Sequence, residues 1–119
     1  MLYASERHVP LQSIPWVRDE ALREIAAIVK DTEAALTPHA WWPLHPRDDH
    51  DPDAPPQKTL YLGATGVMWA LEFLAQKGIA KLARSYESLW LKACDDYFSV
   101  PDTGSVVPSW FLGSSFPLL

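Results

Sequence analysis

Six prolines fall between positions 38 and 56, and no regular element survives that density. Pro38, Pro43, Pro46, Pro52, Pro55 and Pro56 each fix φ and remove a backbone donor, which excludes a helix or a central strand. Residues 37–59 therefore read as one long connection between helical segments. Connections of this length in a compact domain are functional or irregular rather than incidental. The connection has two halves. His39-Ala-Trp-Trp-Pro-Leu-His45 is aromatic and is expected to pack. Arg47-Asp-Asp-His-Asp-Pro-Asp53 is charged and is expected to be solvated.

On either side of the connection the apolar residues recur at helical spacing. Before it, Leu22, Ile25, Ala26, Val29 and Leu36 form one stripe, with Arg23, Glu24, Lys30 and Asp31 between them. Ser13 as cap, Pro15 in the first turn and Pro38 as terminator predict a helix over Pro15–Leu36. After the connection, Val67, Ala70, Leu71 and Leu74 form a stripe that Met68, Trp69 and Phe73 widen. A helix apolar nearly all round is expected to be buried among others. It is predicted over Gly66–Lys77, with Gly78 as a left-handed C-cap. A third helix is predicted over Ile79–Phe98, with Leu82, Tyr86, Leu89, Ala93 and Tyr97 on one face. A minimal link at Gly78 implies that helices two and three form an antiparallel αα-hairpin packed through Leu71, Leu74, Leu82 and Leu89. Val100-Pro-Asp-Thr-Gly104 reads as a turn. The expected fold class is all-α, with 1–119 as a single domain.

Composition narrows the function. The chain has 119 residues, 48% apolar and 21% charged, with a net charge of −5. An acidic balance argues against nucleic acid as a partner. A single cysteine, Cys94, excludes an intrachain disulfide and a Cys-based zinc knuckle. No signal-peptide core opens the chain, and no run of ~18 apolar residues spans a membrane, so a cytoplasmic location is expected.

An internal repeat is visible. Leu62-Gly-Ala-Thr-Gly-Val-Met-Trp69 aligns, fifty residues on, with Leu112-Gly-Ser-Ser-Phe-Pro-Leu-Leu119. A period near fifty suits one helical hairpin with its connections. Leu60-Tyr-Leu-Gly-Ala-Thr-Gly-Val-Met-Trp-Ala-Leu71 resembles the first Gly-x-x-Gly repeat of the LanC-like family, the lanthionine synthetase cyclases and their relatives. Ser109-Trp-Phe-Leu-Gly-Ser-Ser115 is similar to the following repeat, with Phe116 in place of its second glycine. The resemblance covers Trp42 to Leu119 and, loosely, the first helix. It implies a partial α/α toroid of helical hairpins, with Gly63, Gly66 and Gly113 as the structural motif. It also implies zinc-dependent thioether formation on a peptide substrate, with zinc held by two cysteines and a histidine from later repeats. No position here matches that site. Six or seven such hairpins need roughly 300 to 350 residues. The chain is thus expected to be a truncated, N-terminal and non-catalytic piece of such a protein, holding no catalytic, cofactor or metal residues of its own.

Other candidates have plainer readings. Gly63-Ala-Thr-Gly66 offers amides for an anion but lacks the Lys-Ser/Thr of a P-loop, and close packing explains it better. His39, His45 and His50 with Asp48, Asp49, Asp51 and Asp53 suggest a metal. Ala54 and Leu60, however, stand where a calcium loop needs glycine and glutamate. Asp95 and Asp96 beside Cys94 raise a thiol pKa, which points to an inert cysteine. Among the tryptophans, Trp69 and Trp90 read as core, and Trp41 and Trp42 as the better stacking platforms. A carbohydrate-active six-hairpin enzyme and a non-catalytic helical interaction module are the alternative readings. Val67, Met68, Trp69, Phe73, Trp110, Phe111 and Phe116 exceed what one hairpin and one helix can cover, so self-association is expected.

Overall fold

A computed structural model of the chain describes residues 13–39, 41–42 and 55–115. Among these the architecture is all-α. It contains α1 (Arg18–Ala35), α2 (Ala64–Gln76) and α3 (Glu87–Ser99), and the one β-type pairing is an isolated bridge between Thr37 and Trp41. No helix among the described residues is long and apolar enough to cross a membrane.

The first helix begins at Arg18, not Pro15, and Ser13 does not cap it; Val17 precedes it in an extended conformation. The later start places Asp19 and Glu20 in the first turn, where the helix dipole favours carboxylates. Only Val29 is buried on α1, while Ile25 and Leu36 pack part-way against the same core. The chain then doubles back: both the Thr37 amide and its hydroxyl donate to the Trp41 carbonyl, at 2.8 and 2.9 Å.

Helix α2 starts earlier than its glycine suggests, at Ala64, and ends in a Schellman arrangement. Gly78 adopts φ +66° and donates to the Ala75 carbonyl, and Ile79 donates to that of Leu74. The predicted helix from Ile79 does not form; α3 begins at Glu87, and the link between α2 and α3 runs from Lys77 to Tyr86. The reason lies in where the amides go. Ile79 and Ala80 both donate to Leu74, and Ala83 donates to the Glu33 carboxylate at 3.0 Å. The Ala83 amide, which a helix from Ile79 would turn back on the Ile79 carbonyl, is thereby taken by α1.

The core gathers Val29, Trp41, Met68, Leu71, Tyr86 and Ala93, with Leu74, Leu82 and Leu89 partly buried against it. Helices α2 and α3 pack on each other. The α3 face named from the sequence persists, although Leu82 and Tyr86 precede the helix. Helix α2 is not enclosed on every side: Met68 is fully buried, yet Trp69 and Phe73 are 45% and 42% exposed.

Candidate functional site

Two features concentrate unusual chemistry: the glycine turn that opens α2, and a cleft between α2 and α3. At the turn, the first α2 amides are already committed. Ala64 donates to the Gln57 carbonyl at 3.0 Å, Thr65 to Lys58 at 3.2 Å, and Gly66 to Gly63 at 3.2 Å. The Thr65 hydroxyl also donates to Lys58, at 2.7 Å. A helix start whose donors are occupied by backbone has nothing to offer a phosphate. The glycines serve contact instead. A Cβ on Gly63 would lie 2.3 Å from the Gln57 carbonyl, and one on Gly66 would lie 2.1 Å from the Leu60 oxygen.

The strand of chain pressed against this turn is fastened by an ion pair with no sequence signature. Asp102 Oδ2 accepts from the Lys58 and Thr59 amides, both at 2.7 Å. Lys58 Nζ lies 2.9 Å from Asp102 Oδ1, with the side chains 4% and 0% exposed, and also donates to the Pro56 carbonyl. Two backbone donors on Oδ2 and the ammonium beside Oδ1 offset the cost of burying the carboxylate.

One bond of this mesh, with its glycine contact, recurs fifty residues on. Ser114 donates to Val107 at 2.8 Å, as Ala64 donates to Gln57, and a Cβ on Gly113 would lie 1.9 Å from the Val107 oxygen. The two turns also touch at equivalent positions, where the Tyr61 amide donates to the Phe111 carbonyl at 3.0 Å. Phe116 lies outside the described residues.

The second feature is an open cleft of about 480 Å³ lined by Met68, Trp69, Glu72, Phe73, Gln76, Ser85, Tyr86, Glu87 and Trp90. Trp69 and Phe73, one helical turn apart, stack at 5.4 Å with 21° between their planes. The Tyr86 hydroxyl closes the floor and donates to Glu33 Oε1 at 3.1 Å. Burial pushes the Tyr86 pKa up to about 12, with the hydrogen bond to Glu33 and the charges of Glu33 and Glu72 adding, against a lowering by Arg84.

The remaining candidates separate. Trp41 and Trp42 are not platforms. Trp41 is 7% exposed, and the Trp42 indole donates to the Thr32 carbonyl at 2.6 Å while its ring lies 6.1 Å from that of Tyr86. The exposed ring belongs to Trp69, which the helical stripe marked as core. The stripe gives a helix its apolar side but does not say how much of that side a neighbour covers. Cys94 is buried, and burial with the Asp95 charge pushes its thiol up. His45, His50, Asp48, Asp49, Asp51 and Asp53 lie outside the described residues. No cluster of three or more metal-ligating side chains occurs among the described ones. Lys58 with Asp102, and Glu33 with Tyr86, escaped the sequence, because each pair joins residues more than forty positions apart.

Comparison with protein-family models, with curated proteins and with solved structures yields no match for this chain.

Proposed function

We propose that this chain forms two successive units of a LanC-like α/α toroid, in which α2 and α3 make a helical hairpin, and that its role is architectural rather than catalytic. The observation that supports this reading is the paired mesh: Ala64 to Gln57 and Ser114 to Val107, fifty residues apart, with a glycine packed on each and an amide-to-carbonyl bond joining the copies. Stacking of equivalent turns is how repeat proteins propagate, each unit covering the next. In this reading zinc-dependent thioether chemistry and the peptide substrate belong to other repeats. The family's site needs two cysteines and a histidine, and this chain has one cysteine.

The test joins structure and chemistry. Gly63→Ala and Gly113→Ala, introduced separately, should each lower the unfolding midpoint, because each forces apart one copy of the mesh. The unmodified chain with zinc should not add a thiol to a dehydrated peptide. Zinc-dependent addition by this chain alone, or a Gly113→Ala variant as stable as its parent, overturns the reading.

A further inference from the structure

We propose that the cleft between α2 and α3 binds a quaternary or methylated ammonium group, seated on the Trp69 and Trp90 rings and paired with Glu72 and Glu87. The charged side chains that line the cleft are two carboxylates, and neither forms an ion pair with a described basic residue. Aromatic faces carry negative potential, and a weakly hydrated organic cation gains most from them. A neutral apolar ligand would use the rings but gain nothing from the carboxylates. An anion would meet repulsion from both.

The Phe73 ring is already taken by an ammonium group, and a second such contact, at Trp41, lies outside the cleft. Lys77 Nζ lies 5.5 Å from the Phe73 centroid, and Lys92 Nζ lies 5.5 Å from that of Trp41. Lys77 extends from the C-terminal end of α2 and is not among the lining residues, so Trp69, on the other side of Phe73 in the helical stack, keeps its exposed surface. Arg84 is the other nearby cation, and it too lies outside the lining. The Glu33 carboxylate, held by Tyr86 and Ala83 behind the floor, adds negative potential. A volume near 480 Å³ exceeds a trimethylammonium head and leaves room for an alkyl stem.

Titration with tetramethylammonium and choline, followed by NMR of the indole N–H resonances, tests this on the intact chain. The expected result is a saturable shift confined to the indoles of Trp69 and Trp90, with the uncharged isostere 3,3-dimethylbutanol binding at least tenfold more weakly. Glu72→Gln with Glu87→Gln should cost tenfold or more in choline affinity, with a melting curve like the parent's; Phe111→Ser, outside the cleft, should cost nothing. A trimethyllysine peptide and free choline compared side by side separate a protein-borne ligand from a small molecule. Equal binding of the isostere, an unchanged double variant, or no binding of either ammonium overturns the proposal. So does saturable binding of cellobiose or maltose at the same indoles in their place.

Discussion

Gly63 and Gly78 are both glycines, for different physical reasons, and substitution separates them. At Gly63 and Gly66 the added methyl meets backbone that cannot rotate away, at 2.3 and 2.1 Å. At Gly78 the surroundings are open and only the positive φ of +66° opposes a side chain. Gly66→Ala should therefore cost about 3 kcal/mol, the upper part of the range for overpacking. Gly78→Ala should cost about 1 kcal/mol, the ordinary penalty for a left-handed residue. Urea unfolding of both variants checks the order. Tyr86 sets a pH limit at the same scale. Its pKa is raised from 10.0 to about 12, so the folded state keeps a proton that the unfolded chain releases. This contribution to stability is complete below pH 10 and is lost as pH rises through about 12. Tyr86→Phe should remove that alkaline loss, as read from unfolding midpoints across the same window.

Among the elements, the interval before α3 shows what the sequence could and could not carry. The spacing of Leu82, Tyr86, Leu89, Ala93 and Tyr97 gave the buried face correctly, because burial follows the apolar period whether or not the first turns are helical. The start of α3 was misread because the competing partner is remote. Glu33, on α1, takes the Ala83 amide with both carboxylate oxygens, at 3.0 and 3.1 Å, and receives the Tyr86 hydroxyl. A carboxylate fifty residues away leaves no local signature. Glu33→Ala should release this anchor. Hydrogen bonds to a charged group contribute about 1.5 to 3 kcal/mol; Ala83 is exposed, but the buried Tyr86 also loses its acceptor, so the loss should fall near 3. The Ala83 amide should then exchange faster with solvent, while amides in the middle of α2 keep their protection. The glycine turn was legible for the opposite reason: Leu-Gly with small residues after it is a local pattern, and its meshwork lies within a few residues. The cleft was half legible. Its rings stand in the sequence as an apolar stripe, but their exposure depends on what packs across α2, which no periodicity reports.

At the scale of the whole molecule, the described residues bring several large apolar side chains together on the surface. Around the junction of the two glycine turns, Tyr61, Leu62, Trp69, Trp110 and Phe111 are between 41% and 73% exposed. Leu60, Tyr61, Trp69, Trp110 and Phe111 line one shallow apolar groove there. Each large side chain of this kind gains about 1.5 to 3 kcal/mol on full burial, and contiguous patches of them mark contact surfaces. The net charge of −5 resists association only weakly at ordinary ionic strength, because charges farther apart than a Debye length are screened. We therefore expect the chain to self-associate through the Tyr61–Phe111 surface. Sedimentation velocity over a dilution series should show the weight-average mass rising with concentration, and added salt should promote the rise. The double substitution Trp110→Ser with Phe111→Ser should abolish it without lowering the unfolding midpoint by more than a few degrees, since both side chains are already about half exposed. A mass that stays monomeric into the high micromolar range would mean that this surface is quiet in water. Association that survives the double substitution would place the contact elsewhere, with the exposed Ile14 and Trp16 the next surface to test.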